Sequence, residues 1–287
     1  MVTAAIAERV DSETPFGADL NVIRRLADLV PGAKPTAVNG IRVAASIRPR
    51  KLVIAGGDDT PVTMPRTVFQ AVYPDGTVML DTGLDAATHR SFSTPDKPEP
   101  YFPEAFAAVV RALHRARMIV LTHFHADHAA GLTQSQDYAT LAAKTIVSAE
   151  TARCLVETPH RPHLAMSVER VGLMNIVDYR RYFPVAPGLV LIKAHGHSAD
   201  HQMVFISLAD GREILHSVDV GWTLDNIRAV QGKAAPWVKE DVPAVNGQLR
   251  WLNGILRREP NVRLLITHDD ALFASMLAEG VIGSELQ

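Results

Sequence analysis

The sequence predicts an α/β (α+β) fold in which two β-sheets pack together with helices outside. Three observations carry this. Runs rich in β-branched residues fall into two groups, each followed by helical periodicity, so the order is β, α, β, α. No linker-like stretch divides the chain. Histidines and aspartates crowd at the ends of apolar runs, not within them, as where strand ends build a site.

Residues 1–17 read as a loose arm. In ADLNVIRRLADLV (18–30), Leu20, Ile23, Leu26 and Val30 recur at helical spacing, and PGAKP stops the helix. This arm and helix (1–37) precede one domain (38–287). IRVAASI and KLVIAGG read as strands, as do RTVFQAVY and TVMLDTG, joined by the turn PDG. AGGDDTP (55–61) lacks a following Gly-Lys-Ser/Thr and is a turn, not a phosphate loop. PEAFAAVVRALHRAR (103–117) is a helix opened by Pro103, leading into the strand Met118–Leu121. From 132 to 183 the pattern is mostly helical, broken by TIVS (145–148) and ETPHRPH (157–163), and reads as a helical insertion. Strands return in LVLIKA, HQMVFISL and REILHSVDV. The long helix VPAVNGQLRWLNGILRR (242–258) then precedes the last strand, VRLLITH.

Composition narrows the class. Of 287 residues, 21% are charged and 47% hydrophobic, as in soluble globular enzymes. A net charge of −2 gives no field that draws nucleic acid or anionic lipid. No run approaches the ~18 apolar residues of a membrane span. Cys154 is the one cysteine, which excludes an intramolecular disulfide and any cysteine-built zinc ribbon. Glu8 and Arg9 interrupt the stretch a signal peptide needs apolar, so a cytoplasmic location is expected.

The densest chemistry is in LTHFHADHAAG (121–131). Alternate residues leaving a strand point to one side, so His123 and His125 converge, while Asp127 and His128 lie where the chain turns into a helix. That geometry fits two adjacent metals better than one. Imidazole and carboxylate suit zinc, with iron, manganese and cobalt as alternatives. Matching donors end later strands: His197 in KAHGHSADH, Asp219 in ILHSVDV and His268 in LLITHDD. A single histidine is ordinarily a surface or hydrogen-bonded residue, but four strand-end clusters in one chain point to a metal site.

These residues resemble the metallo-β-lactamase superfamily. The motifs are H-x-H-x-D-H at 123–128, G-H-S at 196–198, the aspartate at 219 and the terminal histidine at 268. VMLDTG (78–83) is similar to the family's early strand ending in Asp-Thr-Gly. The resemblance covers roughly residues 38–275 and implies an αββα sandwich, two mixed sheets face to face, with two divalent metals at one edge. It implies that His123, His125 and His197 hold the first metal, Asp127, His128 and His268 the second, and that Asp219 bridges them. Asp81 is similar to the family's orienting carboxylate and His201 to its structural histidine. His195 is expected to face solvent or the surroundings of the ligands. His160 and His163 sit in the insertion, where they could cover the site. His89, His114 and His216 receive no role, and Cys154 reads as a buried small apolar residue.

Two ions sharing a water lower its pKa enough to supply hydroxide at neutral pH, so the resemblance implies hydrolysis, with Asp127 or Asp219 moving the proton. An aspartate at 219 separates the chain from true β-lactamases, which place cysteine or serine near that position. No flavin module follows the core, and the nineteen residues after His268 are too few for the helical domain of glyoxalase-type relatives. The separations His128–His197, His197–Asp219 and Asp219–His268 (69, 22 and 49) are most similar to those of N-acyl-homoserine lactonases. That branch implies an ester or lactone substrate, quorum quenching, and a homodimer as an open possibility. In it a tyrosine commonly stands three residues after the bridging aspartate. Here Trp222 stands there, a donor that cannot act as an acid near neutral pH. Trp222, Leu224 and Trp237 are candidates for an apolar substrate pocket. The alternatives are a phosphotriester or phosphodiester hydrolase and, from another class, a non-catalytic metal-binding scaffold.

Overall fold

Alternation along the strands decides the layers. In a computed structural model that describes residues 15–92 and 98–287, each central strand sends successive side chains into two different cores. The first sheet runs β1 (Ala37–Pro49), β2 (Pro61–Tyr73), β3 (Gly76–Leu80), β4 (Met118–Val120), β5 (Thr145–Ser148) and β6 (Asn175–Val177), in that spatial order. Its early strands pair antiparallel and β3 to β6 pair parallel. The second sheet holds β7 (Tyr182–Ala186), β8 (Leu189–Lys193), β9 (Gln202–Ser207), β10 (Glu213–Val218) and β11 (Val262–Ile266). Only its β10–β11 pair is parallel.

Val78, Leu80 and Val120 of the first sheet meet Leu189, Leu191, Val204 and Ile206 of the second in a shared interior. Met79 and Ile119 turn outward onto Val109 and Leu113 of the helix Pro103–Arg115. Val190, Ile192, Met203 and Phe205 turn outward onto Ile23 and onto Val245, Leu249 and Leu252 of the helix Val242–Arg258. The result is two mixed sheets face to face with helices on both outer faces, an αββα sandwich. No helix among the described residues is long and apolar enough to cross a membrane.

Two readings change, and one helix is added. KLVIAGG is not a strand: Pro49 ends β1, and Arg50–Val53 forms one helical turn in which the Ile54 amide donates to the Arg50 carbonyl at 2.9 Å. Its apolar residues serve a small satellite core of Val53, Met64, Trp222 and Ala235, which a short apolar run cannot reveal. The stretch 132–183 is less helical than read, because β6 joins β5 in extending the first sheet. A helix, Asp270–Ala278, follows the last strand, opened by Asp269, whose side chain accepts from the Leu272 amide. Residues 1–14 of the expected arm lie outside the described residues.

Candidate metal centre

Five strand ends converge at one edge of the sandwich: the exits of β3, β4, β8, β10 and β11. The turn after β4 is fixed by a close approach. The helix Ala126–Thr133 carries Asp127 and His128, and its Gly131 lies so near β3's exit that an added Cβ would fall 2.0 Å from the Thr82 carbonyl oxygen. The Thr82 amide and hydroxyl both donate to the His128 carbonyl, at 2.8 and 2.7 Å. Asp81, with φ 66°, and Val218, with φ 53°, occupy the left-handed region beside the site. For a β-branched residue such as Val218 that is strained, and it turns Asp219 inward.

Three overlapping donor groups result, each with its ligand atoms within 4.8 Å of one another: His123, His125 and His197; His123, His128 and Asp219; Asp127, His128 and His268. His125 Nδ1 lies 3.1 Å from His123 Nε2 and 3.0 Å from His197 Nε2. Asp219 Oδ2 lies 3.4 Å from His197 Nε2 and 3.1 Å from His268 Nε2, and Oδ1 lies 3.6 Å from His128 Nε2. Asp127 Oδ2 lies 3.6 Å from His268 Nε2 and 3.9 Å from His128 Nε2. All seven expected ligands are therefore brought together.

Four of the histidines are pinned through their other ring nitrogen. His128 Nδ1 donates to Asp81 Oδ2 at 2.7 Å, and His268 Nδ1 donates to the Pro65 carbonyl at 2.7 Å. His197 Nδ1 donates to Glu240 Oε1 at 2.7 Å. Thr122 Oγ1 donates to Asp81 Oδ2 and faces His123 Nδ1 at 3.1 Å, so it accepts there. Each arrangement leaves the Nε2 lone pair aimed at the shared centre. Burial, and the neighbouring imidazoles of His128 and His125, hold His123 well below the usual histidine range. Burial likewise depresses His125, next to His160, and His197, next to Lys233. Burial opposes the charge on His128 as well, but Asp81, Asp219 and Asp127 outweigh it and raise that imidazole. Burial pushes the Asp127 carboxyl up, while His128, His268 and Arg66 outweigh it and bring it to about 2.

Among the described residues, His128 Nε2 and Asp219 Oδ1 are buried without a hydrogen-bond partner. Unsatisfied buried groups of this kind cost ~1–3 kcal/mol or more each. The depressed imidazoles of His123, His125 and His197, together with His128, His268 and two carboxylates, fit divalent cations of nitrogen- and oxygen-binding type.

The other residues singled out in the sequence lie around this centre. Asp81 also accepts from the Thr122 amide at 2.7 Å. His201 Nδ1 donates to the Ala194 carbonyl, and its Nε2 accepts from the Asp219 amide at 3.1 Å. His195 is exposed. The His160 ring lies 4.4 Å from that of His125, tilted by 36°, and accepts from the Ala126 amide, and His163 meets Thr88 Oγ1 at 3.0 Å. His89 bonds Arg66 and the Glu99 carbonyl, His216 bonds the Leu265 carbonyl, and Cys154 is buried. His114 stands 3.3 Å from Asp137. Trp222 is buried in the satellite core, edge-on to His268 at 6.3 Å. Leu224 packs with the outer helices of the second sheet, and Trp237 is 57% exposed near Arg48. These three residues thus sit in three different surroundings.

Sequence reasoning missed Lys233, Glu240 and Arg66. Lys233 is buried, pairs with Glu240 at 2.6 Å and donates to the carbonyls of Asp219 and Val220. Arg66 is buried with its Nε 3.7 Å from Asp127 Oδ2. Lys233 and Glu240 come from a loop and Arg66 from mid-strand, and no spacing rule marks such positions.

A family model described as the metallo-beta-lactamase superfamily matches residues 66–231. No curated protein sequence matches the chain. Among solved structures, the chain is similar to a quorum-quenching N-acyl homoserine lactone lactonase, at TM-score 0.65 and 17% identity, covering 85% of this chain and 97% of that one. A probable metal-dependent hydrolase from Staphylococcus aureus gives 0.63 at 14% identity, covering 84% and 91%. A dizinc quorum-quenching lactonase gives 0.59 at 13% identity, covering 85% and 92%.

Proposed function

The chain belongs to the metallo-beta-lactamase superfamily, and from that premise we propose that it is a dinuclear-metal hydrolase that opens lactone or carboxylic ester bonds. The observation that carries this reading is the buried centre itself, where five imidazoles and two carboxylates face one another with Asp219 beside both halves. In this reading His123, His125 and His197 hold one divalent ion, Asp127, His128 and His268 the other, and Asp219 both, zinc suiting the set best. Bound there, the ions supply a water of lowered pKa and polarise the oxygen under attack. The chain's own residues do the rest. Asp127 or Asp219, each with a carboxylate oxygen within 4 Å of His128 and His268, relays the proton to the leaving alkoxide. Asp81, Glu240, Thr122 and the Pro65 carbonyl keep the imidazoles in one tautomer.

Lactones are favoured within the class because structural neighbours at TM-scores of 0.59 and 0.65 are named as lactonases. Zinc-loaded protein assayed side by side on a long-chain acyl homoserine lactone, an aryl ester and an aryl phosphotriester tests the reading. Hydrolysis of the lactone or ester at least about tenfold faster than the phosphotriester is expected, a difference of roughly 1.4 kcal/mol in barrier. A faster phosphotriester would transfer the reading to phosphorus, and three inert substrates would favour a scaffold. Asp219→Ala should lose turnover and metal together, whereas His195→Ala keeps its metal.

A further inference from the structure

On the Phe92 side of the centre three guanidiniums, those of Arg48, Arg66 and Arg161, meet two carboxylates, Glu99 and Asp127. Arg66 enters from β2 and Arg161 from the segment after the helix Ala149–Glu157. Both guanidiniums stand over the ring of Phe92, 4.5 and 4.4 Å from its centre. Arg66 lies 3.7 Å from Asp127 and 3.7 Å from Glu99, and Glu99 also pairs with Arg48. Asp127 belongs to a ligand triad, and Glu99 is shared between two arginines. Arg161 is half-buried and has no carboxylate within ion-pair distance among the described residues. Its guanidinium donates to the His160 carbonyl at 2.9 Å, and the His160 ring rests on His125.

A partly desolvated guanidinium without an acid is costly, and one resting over an aromatic ring, with one N–H given to a carbonyl, keeps further N–H donors for a partner. Such a group suits an incoming planar anion. We propose that Arg161, backed by Phe92 and Arg66, is a carboxylate-binding subsite beside the centre, so that the preferred ester or lactone carries a carboxylate of its own. One guanidinium without an acid among the described residues matches one carboxylate, because Arg48 and Arg66 are already engaged. The substrate class so named rests on the hydrolase reading, but the subsite itself is a binding claim and is testable without turnover.

The experiment uses full-length zinc-loaded protein and two 4-nitrophenyl esters, the half-ester of glutarate and its neutral methyl-capped counterpart. The wild type should prefer the carboxylate-bearing ester by about tenfold in kcat/KM, through KM, as a charge-assisted hydrogen bond provides. Arg161→Gln should bring that preference close to unity, Arg161→Lys should restore part of it, and the control Arg212→Gln, an exposed position, should leave it intact. In parallel, thermal shift with free glutarate should show binding to the wild type that Arg161→Gln loses at equal zinc content. If neither ester is cleaved, the hydrolase reading fails and the glutarate titration decides the subsite. Equal rates on both esters, or a glutarate shift that persists in Arg161→Gln because the anion binds the zinc alone, would overturn the proposal.

Discussion

Residue by residue, the centre is defined less by its seven donors than by what holds them. His197 shows this most clearly: Glu240 accepts from its Nδ1, and Lys233 in turn pairs with Glu240 while donating to the carbonyl of Asp219. One buried ion pair therefore orients a histidine and anchors the loop of Asp219. Glu240→Gln should weaken zinc binding by about 10–100-fold, as loss of such partners does, measured by competition with a chromophoric chelator. It should also lower the melting temperature of the metal-free protein, since Lys233 is left as an unpaired buried charge. Lys233→Met combined with Glu240→Gln should recover the melting temperature but not the affinity. Recovery of both would mean that Glu240 serves packing alone.

At the scale of elements, the sheet edge depends on how closely the helix Ala126–Thr133 seats on β3's exit. Gly131 sets that distance, because any side chain there meets the Thr82 backbone. Gly131→Ala should destabilise the fold by about 1–3 kcal/mol through overpacking and should lower metal occupancy, because Asp127 and His128 ride on the same helix. Chemical denaturation and metal analysis of the variant check both effects, and an unchanged midpoint would show that the contact relaxes freely. The elements most legible in the sequence were those with strong periodicity and a stop signal, such as Val242–Arg258, whose bounds match the expected helix. Arg50–Val53 is a helical turn where a strand is expected because the short apolar run LVIA (52–55) looks alike in a strand or a turn. β6 escaped notice because Asn175 and Ile176 are exposed, leaving no alternation to read.

Over the whole molecule, the αββα order was legible because side-chain alternation and helix periodicity both report burial. The centre was legible because its donors cluster at strand ends. What remained hidden was long-range: Glu240 stands 43 residues from His197, and Arg66 approaches Asp127 from another strand. Such pairs exist only once the sheets stack. Burial of histidines also sets a global property. His216 is pushed down to about 4 and His201 to about 3, chiefly by burial. Above about pH 6.5 such a histidine is neutral in both folded and unfolded chains. As pH falls below that value the unfolded chain takes up a proton that the fold refuses, so stability is lost between about pH 6.5 and 4. The His216 shift alone corresponds to roughly 3 kcal/mol across that window. Metal-free protein should melt at falling temperature from pH 6.5 to 4.5, with a shallower slope in His216→Asn. A flat profile would place those histidines in contact with solvent.

Metal stoichiometry tests the central claim most directly. The protein is stripped with chelator, reconstituted with excess zinc, desalted and analysed for metal against protein concentration. The donor geometry predicts about two zinc ions per chain, falling in Asp219→Ala and unchanged in His195→Ala, with a higher melting temperature in the loaded form. One ion or none per wild-type chain, or equal metal loss in both variants, would contradict the dinuclear centre.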